Sequence, residues 1–299
     1  MDQLPDGCDL SQLGLEYPEL ADVSVIPGKH AAALYRLVCS DGRRFVVKFF
    51  PQEATASEVR AYDLLTRYDV PVLPLLGQTE RALLLEDLNA SDTWRLAEDG
   101  DVEDAAVGAA VARWYRRLHA AGREIMLTAP QDMGFLGRES DALETESMSR
   151  TAERLGLGHH PGWRRASAHV NALREAMRAL PETLNYNDFH WSNLALTRHH
   201  SEAVEAIVFD YHLLGLGPSY SDYRNVLTSL RGDAARAFRD GYGPIDDREA
   251  ALDAPVSIMI ALITAARRPV FPSWAKPCLR AVSDGSFECD LDRAIALLG

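Results

Sequence analysis

A carboxylate, an amide and a second carboxylate stand close together in the later half of this chain. Asp188 and Asn193 lie in the run Asn185-Tyr186-Asn187-Asp188-Phe189-His190-Trp191-Ser192-Asn193, and Asp210 follows 17 residues later in Ile207-Val208-Phe209-Asp210-Tyr211. Phosphoryl transfer needs one carboxylate to orient or deprotonate the attacking hydroxyl. It also needs an amide oxygen and a second carboxylate to hold Mg2+ against the phosphates. Asp188 as the catalytic residue, with Asn193 and Asp210 as metal ligands, supplies that set. The D-x-x-x-x-N spacing lets one loop present both a base and a ligand, and a short hairpin formed by residues 194–197 and 203–209 returns Asp210 to the same place. Hard oxygen ligands suit Mg2+, which keeps several waters and takes the rest of its shell from a nucleotide. A lone D-x-x-x-x-N has little specificity, so the surrounding elements decide its weight.

Those elements fall into two groups. Residues 22–88 read mainly as strands: Val23-Ser24-Val25-Ile26, then residues 33–38, a turn at Ser40-Asp41-Gly42, and residues 44–50. The Ser-Asp-Gly turn predicts a hairpin. One helix interrupts, opening near Thr55, where Thr55-Ala56-Ser57-Glu58 fits a capping box and Val59, Tyr62 and Leu65 follow at helical spacing. Strands resume over residues 73–76 and 82–85. Past Asn89, Val107, Val111, Trp114 and Leu118 form the apolar stripe of a helix ending before Gly122. Further helices are expected over residues 141–155 and 163–180, and again, broken by Pro and Gly, from 220 to 298. The predicted architecture is α+β, with a small β-rich lobe over residues 1–88 and a larger, mostly helical one over 89–299. The cleft between them is the expected ligand site.

This organisation resembles the aminoglycoside phosphotransferase and choline kinase group, whose fold is that of the protein kinases. The resemblance covers nearly the whole chain. The group's catalytic loop, H-G-D-x-x-x-x-N, matches Tyr186-Asn187-Asp188 through Asn193, with Tyr and Asn in place of the usual His and Gly. The later metal-binding Asp matches Asp210, and Gly217-Pro218 with Asp222 matches the step that braces the loop. Lys48 resembles the lysine that contacts the α- and β-phosphates of ATP, and Glu58 its ion-pair partner. The capping box offers Glu58 a competing partner at Thr55. Glu86-Asp87-Leu88 resembles the hinge whose backbone holds the adenine, and Gly28 is the one glycine of the phosphate loop. Residues 109–119, closing in Leu118-His119, resemble the long helix that supports the catalytic loop.

The resemblance implies an ATP- and Mg2+-dependent kinase acting on a hydroxyl of a small molecule, an aminoglycoside or related aminocyclitol, in the manner of antibiotic-resistance enzymes. Metabolic relatives acting on choline, ethanolamine, homoserine or sugars share the same core. A silent binding module of this fold is the rival from another class, and it would be expected to lack a base or metal ligand. Only about a dozen residues separate Asp210 from Asp222, which leaves no room for a protein kinase's activation segment.

Composition narrows the partners. A net charge of -13 without clustered Lys and Arg argues against nucleic acid and suits a cationic acceptor. Scattered cysteines (Cys8, Cys39, Cys278, Cys289) and a start without a signal-peptide pattern point to the cytoplasm, and the apolar run over residues 256–266 is too short to span a bilayer. The acidic clusters Glu139, Asp141, Glu144, Glu146 and Asp246, Asp247, Glu249, Asp253 could receive amines or form solvated helix faces. His190 could touch substrate or make a structural hydrogen bond, and His199 and His200 sit in a polar turn.

Overall fold

Runs of β-branched and aromatic residues near the start of the chain fold as adjacent antiparallel strands, β1 (Leu20–Ile26), β2 (Ala33–Cys39) and β3 (Arg44–Phe49). Gly42, at φ 88°, turns β2 into β3 in a backbone conformation that a side chain would strain. With β4 (Leu75–Thr79) and β5 (Ala82–Glu86) these strands form one antiparallel sheet of order β1-β2-β3-β5-β4. The order makes β3 and β5 neighbours, so Lys48 pairs opposite Leu83 on the strand that ends at Glu86. This is a computed structural model, and it describes residues 4–5, 8–15, 20–27, 32–52, 57–198 and 203–298.

The helix α1 (Ser57–Arg67) buries Glu58, Val59, Tyr62 and Leu65. Its expected cap, Thr55, and the phosphate-loop Gly28 lie outside the described residues, as do His199 and His200. One face of the sheet covers a small core of Leu10, Leu13, Leu37, Val47 and Leu84. A larger core runs continuously from Tyr62 and Leu85 through Val111 and Leu118 to Leu184 and Val208, so α1 and the strand side share apolar packing with the helical side.

On the helical side α2 (Ala105–Thr128) is the central rod, and α6 (Gly232–Tyr242) packs along it. The expected stop at Gly122 is corrected here, since the helix continues past it for nearly two turns to Thr128. Gly122 marks a close approach instead: a Cβ there would collide with the backbone of Leu184 and the side chain of Thr183. A second core joins α3 (Thr145–Leu155), α4 (Pro161–Arg178), α7 (Asp247–Ala266), α8 (Lys276–Asp284) and α9 (Ser286–Ala296). The apolar run read from sequence is the later half of α7. At 20 residues α7 is long and apolar enough to cross a membrane by length and composition. In this fold it is the spine of the second core, with Leu252, Val256, Met259, Leu262 and Ile263 buried.

Short strands place the loops that matter. β6 (Trp94–Leu96), β8 (Leu194–Thr197) and β9 (Ala206–Val208) form a three-stranded sheet, and β7 (Thr183–Asn185) pairs with β10 (Gly215–Gly217). The loop carrying Asp188 and Asn193 therefore leaves β7 and enters β8, while Asp210 follows β9 directly. α5 (Tyr220–Ser229) begins just after β10 and brings Asp222 beneath the loop. Glu139 and Asp141 do not start a helix as expected. They occupy the 3-10 turn Glu139–Ala142, and α3 opens only at Thr145.

Candidate active site

The loop after β7 is fixed from below. Thr183 donates its hydroxyl to the carbonyl of His119 at 2.7 Å, tying β7 to α2. Asp222, fully buried in the first turn of α5, accepts the backbone N–H groups of Tyr186 (2.8 Å) and Asn187 (2.9 Å). It also lies 3.2 Å from His119 Nε2, which serves as donor because a carboxylate only accepts. His119 Nδ1 then faces the Tyr242 hydroxyl at 2.8 Å. Three donors thus converge on one buried carboxylate, and the two amides immediately before Asp188 are held in place.

Tyr186, where the family has His, is completely buried and packs edge-on against Trp114 and Tyr211. Its hydroxyl donates to the carbonyl of Phe209 at 2.5 Å, linking the loop after β7 to the residue before Asp210. Asn187, where the family has Gly, sits at φ 67° and donates from Nδ2 to the carbonyl of Leu213 at 3.2 Å. Asparagine tolerates the left-handed region better than most side chains, so the substitution keeps the turn.

Asn193 donates from Nδ2 to Asp188 Oδ2 at 3.3 Å and to the Asp188 carbonyl at 3.4 Å. Its own backbone carbonyl accepts the N–H of Phe209 at 3.0 Å, so the two loops are joined on both sides. His190 caps the 3-10 turn Trp191–Asn193, with Nδ1 2.8 Å from Ser192 Oγ. It therefore makes the structural hydrogen bond.

Lys48 reaches across the cleft. Its Nζ lies 2.6 Å from Glu58 Oε2 and 2.6 Å from Asp210 Oδ1. Glu58 is directed to Lys48, as the resemblance implies. One ammonium, with three N–H donors, thus lies between a buried carboxylate and a partly buried one. Burial pulls the Lys48 pKa down, but the adjacent charges of Glu58 and Asp210 outweigh it and hold the ammonium above its ordinary value. Burial likewise pushes Glu58 up, against a partial pull from Lys48. Burial also acts to raise Asp210, yet a hydrogen bond from His212 and the Lys48 charge hold its carboxyl well below the usual range. Asp210 is thus kept ionised beside Lys48.

Asp188, Asp210 and His212 each offer one ligand atom, and these atoms lie within 4.8 Å of one another. With the neighbouring Asn193 amide they form a donor set that fits a divalent cation, and its carboxylate and amide oxygens favour a hard one. His212, 3.2 Å from Asp210 Oδ1 through Nδ1, was missed in the sequence. Its position two residues after Asp210 was the available signal.

A cavity of about 330 Å³ opens beside this group. Lys48, Glu58, Glu86, Asp87, Leu88, Asn193 and Asp210 all line it, together with apolar side chains such as Ile26, Val46 and Leu85. Asp188 does not line it. The Asp87 carboxylate is committed elsewhere, accepting from Arg36 Nε at 2.7 Å and from the Asn89 amide at 3.2 Å. Three of the four acidic residues clustered at the start of α7 are also in use. Asp246 caps the helix, Glu249 accepts the Tyr220 N–H at 3.0 Å, and Asp253 pairs with Arg224 at 2.6 Å. Those three hold the fold and are not free to receive an amine.

The model of the phosphotransferase enzyme family (APH) matches residues 22–252. No curated protein matches the chain in sequence. Among solved structures, a choline/ethanolamine kinase family protein from Mesorhizobium loti is 12% identical with a TM-score of 0.60, over 93% of this chain and 94% of that one. An aminoglycoside phosphotransferase, APH(2'')-Ib in its ADP-bound form, is 13% identical with a TM-score of 0.57, over 89% and 92%. The amicoumacin kinase hAmiN, in complex with AMP-PNP, Ca2+ and Ami, is 13% identical with a TM-score of 0.60, over 92% and 91%. At these identities the likeness establishes the fold.

Proposed function

The chain belongs to the phosphotransferase enzyme family, and from that premise we propose that it transfers the γ-phosphoryl group of ATP to a hydroxyl of an aminoglycoside or related aminocyclitol. Family and fold make it a kinase-type enzyme acting on small molecules. The phosphoryl-transfer part of that reading rests on one observation, the meeting of Lys48, Glu58 and Asp210 at 2.6 Å contacts, with Asp188 and Asn193 alongside.

In this reading the adenine lies along the strand end at Glu86, Asp87 and Leu88, which line the cavity beside Lys48. Lys48 contacts the phosphates, and Glu58 keeps its ammonium aimed at them. Gly28 would give the phosphates a close backbone approach. Asn193 and Asp210 would hold Mg2+, which when bound neutralises charge developing on the phosphates. Asp188 orients the acceptor hydroxyl and takes its proton, held in place by the Asp222 clamp on the two preceding amides. Catalysis is then mostly positioning and charge stabilisation. The amine-bearing acceptors named for the aminoglycoside and ethanolamine relatives, together with the net charge of -13, support a cationic acceptor. We place the lobe boundary at residues 88 and 89. We also place the enzyme in the cytoplasm, as its free cysteines support, with antibiotic resistance as its role.

ATP consumption with Mg2+, measured across aminoglycosides, amino alcohols and sugars, identifies the acceptor. Asp188→Asn should lower turnover by about 10²- to 10⁴-fold while ATP still binds, the loss expected for a general base. Near-normal turnover in that variant would remove Asp188 from its role.

A further inference from the structure

A second, larger cavity of about 590 Å³ opens where α2 meets the connection between α6 and α7. Arg113, Arg116, Arg117 and Arg123 of α2 line it, with Ser219, Tyr242 and Ile245 among the other walls. At about 100° per residue, these four positions fall within roughly 120° of the helix circumference. Ala120 stands among them, so no long side chain fills the space. In a chain of net charge -13 this is a local reversal of sign.

Among the described residues none of the four arginines pairs with a carboxylate. Arg113 and Arg116 each give one N–H to a backbone carbonyl, of Val204 (2.5 Å) and Gly241 (3.3 Å), while Arg117 and Arg123 make neither a hydrogen bond nor an ion pair there. The cavity's two carboxylates are engaged with backbone N–H groups: Asp246 accepts those of Arg248 and Glu249, and Glu249 accepts that of Tyr220. Four guanidiniums against two occupied carboxylates leave the lining positive. Planar guanidinium forks match phosphate oxygens two at a time. The volume lies in the range of small-molecule pockets.

We propose that this cavity binds a small polyanion carrying two or more phosphate groups, at a site separate from the cleft that holds Lys48 and Asp210. Its floor includes His119, whose ring faces Tyr242 on one side and Asp222 on the other, so a ligand seated there perturbs a single identifiable imidazole.

Inorganic pyrophosphate and tripolyphosphate, titrated into the full-length protein, test the proposal by calorimetry, with the His119 ring followed by NMR. Saturable binding is expected, stronger for tripolyphosphate, with a His119 shift in step with occupancy. The double variant Arg117→Glu and Arg123→Glu should weaken it by tenfold or more, whereas Arg280→Glu, on the distant α8, should leave it unchanged. Binding of these anions in the Lys48 cleft alone would survive the double variant and leave His119 unmoved, which overturns the proposal. So would the absence of saturable binding, or equal loss in the double variant and in Arg280→Glu.

Discussion

Tyr186 and Tyr115 share one aromatic cluster, and the same single-atom deletion should affect them in opposite directions. Both side chains are 0% exposed, and both rings meet Trp114 edge-on, with centroids 6.0 and 5.1 Å from it. Burial holds both phenols well above their ordinary pKa, so each is a neutral hydroxyl. Tyr186 donates to the Phe209 carbonyl at 2.5 Å, whereas the Tyr115 hydroxyl is buried without a partner among the described residues. Tyr186→Phe therefore removes a made bond and strips a donor from a carbonyl, at a cost of about 1–3 kcal/mol. Tyr115→Phe removes a hydroxyl whose desolvation nothing offsets, and should be neutral or stabilising by up to about 1 kcal/mol. For a chain of this size 1 kcal/mol shifts Tm by about 2 °C, so Tyr186→Phe should lose roughly 2–6 °C while Tyr115→Phe holds or gains. Urea unfolding with unchanged m checks that stability alone has moved. Because Phe209 precedes Asp210, ATP turnover should also fall several-fold in Tyr186→Phe only. Equal losses of Tm in the two variants would refute the hydrogen-bond accounting.

Lys48→Met leaves Glu58, 1% exposed, without its cation. Stability at neutral pH should drop by about 3–5 kcal/mol. It should partly recover on acidification, because burial already raises the Glu58 pKa, so the folded state takes up that proton before the unfolded chain does. Equilibrium unfolding at several pH values measures this, and a loss independent of pH would contradict it. For His212, burial lowers the pKa, but the Asp210 hydrogen bond and charge raise it above its ordinary 6.5. Its contribution should be complete below about 6.5 and fade as pH rises through the folded value, so the stability gap between wild type and His212→Gln should be wider at pH 6 than at pH 9. Gly122→Ala should cost at least about 2 kcal/mol despite a helix-propensity gain of about 1 kcal/mol, because the new Cβ strikes the Leu184 backbone and Thr183. Thermal melting decides, and a stabilised variant would mean that β7 can move away from α2.

The sheet was legible because its strands advertise themselves locally: β2 and β3 flank a Ser-Asp-Gly turn, and their register follows from it. Asp188, Asn193 and Asp210 were legible for a similar reason, since a loop and a short hairpin bring them together within a short stretch of chain. What could not be read depends on distant partners. β7 and β10 are three residues each and exist through pairs such as Leu184 with Leu216. The His119 to Asp222 contact joins residues 103 apart in sequence. Gly122 looked like a helix stop because the missing Cβ is needed by a strand that no local pattern announces. The acidic run of α7 showed the same limit, since only tertiary contacts reveal that Asp253 faces Arg224 and Glu249 faces the start of α5.

The departure from His-Gly to Tyr186-Asn187 bears on whether the chain has kept a working site. Asp222 grips the loop through main-chain N–H groups, which every residue type except proline supplies, so the position of Asp188 does not depend on the side chains just before it. Two demands remain on those side chains. Position 186 must fill a buried space and reach the Phe209 carbonyl, and a tyrosine does both. Position 187 must accept φ 67°, which asparagine does while adding a bond to Leu213. A loop held by its backbone can change its letters without moving its carboxylate. The altered motif is therefore no sign of a silent relative: Lys48, Glu58, Asp188, Asn193 and Asp210 are all present, and the groups that position Asp188 are all hydrogen-bonded.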